Sequence, residues 1–217
     1  MNNWYDEVRA KTESIFQEIV NHGFIKELSE GTLAKDVFGF YVNQDTLYLS
    51  EYTNALSQVA IKCHDIDDRQ FYLESATGIL EIEKALHKVF LEAQYKNETP
   101  SPTCELYNSY LSRIINNHSV EIGLAAVLPC FTIYKEVGDY IVANQSNKQN
   151  NIYQEWIETY AGEDFSAAVA QAIEITNKYA QTASLKSLKL MEEVFIKTSK
   201  LEWMFWDSAY KQEEWKI

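Results

Sequence analysis

The stretch Leu124-Ala125-Ala126-Val127-Leu128-Pro129-Cys130-Phe131-Thr132-Ile133-Tyr134-Lys135-Glu136 decides how the chain folds. It is an apolar run with helical rather than alternating spacing. Pro129 interrupts it. A proline removes a backbone donor and clashes with the preceding turn, so a kink is expected here. In a helix interior that costs roughly 3 kcal/mol unless something compensates. Cys130 follows directly, and Tyr134, four residues on, shares its face. By itself the stretch is compatible with a core thiol, because free cysteine is among the most buried residue types.

Outward from this run, apolar residues recur at three- and four-residue steps nearly everywhere. Trp4, Val8, Ile15, Ile19 and Val20 mark a helix over 3–21. Asn21-His22-Gly23 then reads as its stop, with Gly23 as a left-handed cap. A short segment ends at Gly31, and Thr32 is a candidate N-cap for the next helix. That helix, from 34 to 63, carries Tyr41, Gln44, Asp45, Tyr48 and Tyr52 on one stripe. A carboxylate on such a stripe needs a partner if buried; otherwise the stripe is a half-exposed interface. Cys63 sits at the exposed-looking end of that helix, before the polar turn 65–68.

A further helix covers 70–94, with Phe71, Ile79, Ile82, Leu86, Val89 and Phe90 as its apolar positions. A loop over 97–102 leads to a helix through Ile115. Ser119 is the natural N-cap of the proline-containing helix, which runs to about Val142. Beyond a polar loop lie three more helices, at 152–160, 164–180 and 184–210. No stretch alternates with strand period. Residues 1–217 therefore read as one all-α domain, a layered helical bundle without repeats.

Seven glycines and three prolines argue against a turn-rich β protein. A formal net charge of -13 repels phosphate backbones and anionic lipid, which sets nucleic acid and membrane aside as partners. No run of about 18 apolar residues suggests a membrane span, and the N-terminus lacks the pattern of a signal peptide. Three widely spaced cysteines make no disulfide framework, so free thiols and a cytoplasmic location are expected.

Several chemistries lack their residues. A helical di-iron site needs repeated Glu-x-x-His pairs, and the nearest approach is Glu83 with His87, at four-residue spacing and without a second copy. Paired zinc spacings are absent, as are phosphate loops and nucleophile-elbow serines. His22, His64, His87 and His118 read as surface or capping residues, so no metal is expected. Thiol chemistry remains. A nucleophilic cysteine needs thiolate character or a nearby base, and an electrophile held close. Of Cys63, Cys104 and Cys130, only Cys130 lies in an apolar helix interior with a tyrosine on its face.

Five blocks then coincide in order. They are Gly31-Thr32-Leu33 with Phe38-x-Phe40-Tyr41-x-x-Gln44-Asp45-x-x-Tyr48-Leu49; Pro102-Thr103-Cys104-x-x-Tyr107; Leu128-Pro129-Cys130-x-x-x-Tyr134-x-Glu136-Val137-Gly138; Ile152-Tyr153-x-x-Trp156-Ile157-x-x-Tyr160; and Glu202-x-x-Phe205-Trp206-x-x-Ala209-Tyr210. With these blocks the chain resembles the TenA/thiaminase II family. One departure is Gly23 after His22, where that family usually has proline.

The resemblance implies an all-α, heme-oxygenase-like fold, usually a homotetramer. It also implies a hydrolase acting on thiamin-related aminopyrimidines without metal or organic cofactor. Cys130 places the chain in the Cys-containing branch. That branch converts 4-amino-5-aminomethyl-2-methylpyrimidine to the hydroxymethyl pyrimidine with release of ammonia, and it also cleaves thiamin. Residue by residue, Cys130 is expected to be the nucleophile and Glu202 the proton donor. Asp45 is expected to bind the aminopyrimidine and Tyr48 to sharpen the thiol, with Tyr107, Tyr134 and Tyr160 as pocket tyrosines. Cys63 and Cys104 are expected to be non-catalytic, and Tyr41, Tyr52, Tyr110 and Tyr153 to be supporting residues. Two other classes share these features: a pyrimidine- or thiamin-binding protein without turnover, and an oxygen- or heme-handling enzyme of the same fold.

The chemistry of the residues suits the first reading. An aminopyrimidine is flat, apolar on its faces and polar at its edge, and tyrosines can wall it while their hydroxyls reach that edge. A carboxylic acid donating to a ring nitrogen makes the ring electrophilic. Holding that proton near neutral pH requires a raised pKa, which burial beside Phe205 and Trp206 can supply.

Overall fold

Burial around helix α7 (Val120–Asn144) organises the molecule. The computed structural model describes residues 3–90 and 99–217, and the backbone alone for residues 80–90. Ten α-helices and no strand occur among the described residues. From Ile122 to Tyr134, α7 is buried at every position except Cys130. A helix apolar on all sides belongs in the middle of a bundle. The single half-buried residue in that run is therefore informative, because something other than protein faces it.

Two groups of helices surround α7. On one side, α4 (Lys35–Lys62) packs along α5 (Ile66–Phe90) and α6 (Pro102–Asn117). On the other, α8 (Gln154–Ala161), α9 (Glu163–Thr182) and α10 (Leu185–Tyr210) pack on α7, and α10 also reaches α4. The short helices α1 (Trp4–Lys11), α2 (Glu13–Val20) and α3 (Gly23–Glu30) close the side next to α10. Arg9 of α1 is held to Glu136 of α7, with Nε and Nη2 2.8 and 2.7 Å from the carboxylate oxygens.

Several local expectations are corrected. Residues 3–21 form two helices that part at Thr12, whose hydroxyl donates to the Arg9 carbonyl. Gly23 does not cap α2 in a left-handed conformation; it opens α3. The His22 ring accepts from the Phe24 backbone at 3.1 Å and caps that helix. The bare Cα of Gly23 lies under the Tyr210 ring, where a Cβ would come within 2.9 Å of it. The left-handed cap in this region is Gly31, which ends α3 with φ 74°. Ala34, not Thr32, occupies the N-cap of α4. The polar turn before α5 is shorter than expected, because the helix starts at Ile66. Cys63 is buried, 1% exposed, rather than exposed. The side chains of the expected apolar positions Ile82, Leu86, Val89 and Phe90 and of the Glu83–His87 pair, and residues 91–98 altogether, lie outside what is described.

Pro129 sits inside α7, and the helix continues through it. The proline deprives the Ala125 carbonyl of its usual donor. In the same turn, the Tyr52 hydroxyl of α4 donates to the Val127 carbonyl at 2.7 Å. A buried side-chain donor thus reinforces the turn where the ladder is weakest. The stripe on α4 faces inward: Tyr41, Gln44, Asp45, Tyr48 and Tyr52 are all buried, which removes the interface reading.

Gly138 sets the distance between α7 and α8. A Cβ there would lie 2.9 Å from both the Ala161 nitrogen and the Tyr160 carbonyl carbon. Those atoms are backbone and cannot swing aside. Gly138→Ala is expected to cost about 1–3 kcal/mol by overpacking, read as a fall of several degrees in Tm. An unchanged Tm would show that α8 moves freely relative to α7.

Candidate active site

A cavity of about 370 Å³ opens beside the middle of α7. Its inner wall is Asp45 and Tyr52 from α4, Cys130 and Tyr134 from α7, and Tyr160 from α8. Its outer wall includes Ile79 of α5, Thr159 of α8, and Asp164 and Phe165 of α9. The helical period places the inner set: Asp45 and Tyr52 lie seven apart on α4, and Cys130 and Tyr134 four apart on α7. Every inner side chain is buried except the half-buried Cys130.

Behind this wall lies a second layer. Glu202 of α10 is 1% exposed and its Oε1 accepts from the Tyr107 hydroxyl of α6 at 2.6 Å. Burial pushes the Glu202 carboxyl up to about 8, and only the Tyr107 hydrogen bond opposes the shift. The acid is therefore largely protonated at neutral pH. Tyr107 packs on Tyr48 with centroids 4.8 Å apart, and Tyr48 packs on Phe205 at 5.5 Å.

Cys130 lies between the two layers. Burial raises its thiol pKa well above the ordinary cysteine value, and the proximity of Glu202 and Asp45 adds to this; the hydroxyls of Tyr48 and Tyr52 act the other way. The Tyr52 hydroxyl is committed to the Val127 carbonyl. The Tyr48 hydroxyl is buried without a hydrogen-bond partner, so it can turn to the thiol or to a bound molecule. The resting site thus holds a neutral thiol within electrostatic reach of a buried, neutral carboxylic acid.

Tyrosines close the far side. The Tyr41 hydroxyl donates to that of Tyr134 at 3.3 Å. Tyr134 and Tyr160 pack with centroids 4.8 Å apart, and Tyr41 stacks on Trp206 at 5.1 Å. The start of α6 is pinned so that Tyr107 reaches Glu202. Gln44 Oε1 accepts from the Ser101 backbone at 2.7 Å, and Ser101 Oγ accepts from the Cys104 backbone at 3.3 Å. Glu213, beyond α10, accepts from the Thr103 backbone at 2.9 Å. Cys104 belongs to this joint; its thiol contacts the Gln44 carbonyl at 3.6 Å and burial pushes its pKa up to about 12.

All seven residues singled out from the sequence therefore gather in one region. Asp45, Cys130, Tyr134 and Tyr160 line the cavity, whereas Glu202, Tyr48 and Tyr107 stand behind the thiol. Tyr52, expected only as a supporting residue, joins the wall; its place four residues after Tyr48 is the signal that points to it. Thr159, Asp164 and Phe165 fall at a helix junction and carry no local signal. None of the described histidines lines the cavity, and no group of three or more possible metal ligands occurs among the described residues.

The helical architecture is the heme-oxygenase-like fold. The chain belongs to the TENA/THI-4/PQQC family, whose model matches residues 9–212. An aminopyrimidine aminohydrolase of Bacillus subtilis strain 168 is 32% identical over 97% of this chain and 91% of that protein. A thiamine biosynthesis multifunctional protein of Corynebacterium efficiens is 29% identical over 93% of this chain and 27% of that longer protein. The TenA homologue from Pyrococcus horikoshii OT3 superposes with a TM-score of 0.86 at 26% identity, covering 97% of this chain and 99% of that one. With such relatives along nearly its whole length, the chain is an enzyme of the hydrolase class.

The buried acid has a thermodynamic consequence. In the unfolded chain Glu202 ionises near its ordinary value of 4.5, in the folded chain at about 8. Between those values the folded state binds more protons, so stability falls as pH rises through this window. The full loss is on the order of a few kcal/mol. Glu202→Gln is expected to remove it, so that the variant's Tm exceeds the wild type's at pH 8 and the excess vanishes below about pH 4.5. Parallel Tm curves for the two proteins would contradict a neutral buried Glu202.

Proposed function

We propose that this protein hydrolyses thiamin-related aminopyrimidines. In this reading it converts 4-amino-5-aminomethyl-2-methylpyrimidine to the hydroxymethyl pyrimidine with release of ammonia, and it cleaves thiamin to the same pyrimidine and the thiazole. One observation carries the reading: a carboxylic acid that keeps its proton near neutral pH lies within electrostatic reach of the thiol that lines a tyrosine-walled cavity.

The residues have distinct tasks. Tyr134 and Tyr160 wall the flat ring, and Asp45 accepts from its amino edge. Glu202 donates its proton to a ring nitrogen, which draws electrons from the ring carbons. The Cys130 sulfur then adds to a ring carbon as its proton passes to the Asp45 carboxylate on the same wall, which returns it when the sulfur leaves, and the Tyr48 hydroxyl favours the thiolate form. The electron-rich adduct expels the amine from the exocyclic methylene, breaking the C–N bond. Water adds at that methylene, and loss of the sulfur and the ring proton restores the aromatic ring, Cys130 and Glu202. The sum exchanges C–N for C–O and consumes one water. No metal or organic cofactor takes part in these steps.

The reading extends to a cytoplasmic homotetramer. Free cysteines suit a reducing compartment. Ile61 and Ile66, both 73% exposed, are large apolar side chains that a subunit interface would cover. No helix among the described residues is long and apolar enough to cross a membrane.

Cys130→Ser is expected to abolish ammonia release from the aminomethyl pyrimidine while leaving the fold intact. Glu202→Gln is expected to lower kcat by about 10²–10⁴, the range of a lost proton transfer. The wild-type rate should fall above about pH 8, where Glu202 ionises. Turnover retained in Cys130→Ser would sink the nucleophile assignment, and binding without turnover in the wild type would favour a carrier instead.

A further inference from the structure

We propose that the outer half of the cavity selects substrates whose leaving group carries a positive charge, and that Asp164 is the residue that reads this charge. The proposal rests on the pyrimidine reading above and adds the chemistry of the second half of the substrate.

The cavity has two ends of different character. The inner end is the buried set around Cys130, walled by Tyr52, Tyr134 and Tyr160. The outer end is more open: Asp164 is exposed, and Phe165, Ile79 and Thr159 are half-buried. A substrate whose ring lies against Cys130 and Asp45 directs its exocyclic substituent toward this opening. The bond to that substituent is the one that breaks, so the outer wall touches the leaving group.

The outer wall suits a cation. Asp164 supplies a carboxylate at the rim. Phe165, next to it, meets Tyr160 edge to face with centroids 5.4 Å apart at 82°, which fixes the ring at the cavity wall. An aromatic face beside a carboxylate attracts ammonium and thiazolium ions alike. Among the described lining residues two are carboxylates, Asp45 and Asp164, and none is lysine, arginine or histidine. An aminomethyl group is an ammonium at neutral pH, as a lysine side chain is, and a thiazolium carries a permanent charge. The hydroxymethyl product is neutral, so the same wall favours its exit once the charge has gone.

Asp164 also lies in the first turn of α9, where an acid stabilises any helix. Glu163 shares that turn and that role but does not line the cavity. It is therefore the internal control.

The test is a binding titration in a Cys130→Ser background, which prevents turnover. The ligands are 4-amino-5-aminomethyl-2-methylpyrimidine, thiamin and the neutral hydroxymethyl pyrimidine. Adding Asp164→Asn is expected to raise Kd for the two cations about three- to tenfold, an exposed charge being partly screened. The Kd of the neutral pyrimidine should stay unchanged, and Glu163→Gln should leave all three unchanged. The gap should narrow at high salt. Equal shifts for charged and neutral ligands, no shift at all, or the same shift with Glu163→Gln would overturn the role of Asp164. Failure of the pyrimidine reading shows differently, as an unmodified protein that turns over neither cationic substrate.

Discussion

The 2.6 Å hydrogen bond from the Tyr107 hydroxyl to Glu202 is the contact on which the site depends. A carboxyl group 1% exposed to water, with that hydroxyl opposing the effect of burial, stays protonated where an ordinary glutamate would be ionised. Burial preserves this state, and the joint of Gln44, Ser101 and Glu213 fixes the start of α6 so that Tyr107 gives the acid its one opposing hydrogen bond. A second hydrogen bond strong enough to favour the carboxylate would lower the pKa and remove the proton donor.

The arrangement concedes stability for chemistry. Keeping Glu202 neutral means folding against its ionisation above its ordinary pKa. The Trp206 indole nitrogen is buried without a partner, and such a group carries a desolvation cost. Pro129 weakens the central helix at the turn that presents Cys130. The surrounding aromatic packing offsets these costs. Neutral thiol and neutral acid also explain each other: an ionised Glu202 would oppose the thiolate, so the acid must give up its proton to the substrate as the sulfur adds.

Much of this is legible in the sequence, for identifiable reasons. Helical spacing on α4 puts Tyr41, Asp45, Tyr48 and Tyr52 on one stripe, and Cys130 with Tyr134 on one face of α7, because both depend on local periodicity. The pairing of these faces with Glu202 comes only through the family resemblance; nothing within α10 alone says which helix faces that residue. The misreadings share one cause, contact between distant segments. Gly23 resembles a helix stop, but His22 caps the next helix and Tyr210, near the end of the chain, packs on its bare Cα. Cys63 stands beside a polar turn, yet the fold buries it. Asp164 looks like any acid at a helix start until the fold brings the α8–α9 junction to the border of the cavity.

The central claim is that Glu202 is a neutral acid in the folded protein near neutral pH. Infrared difference spectroscopy of the wild type against Glu202→Gln tests it directly, through the carbonyl stretch of a protonated carboxyl. This band is predicted to be present at pH 6 to 7, absent from the variant, and lost with a midpoint near pH 8. A Glu202 already ionised at pH 6 would contradict the claim and leave the site without its proton donor.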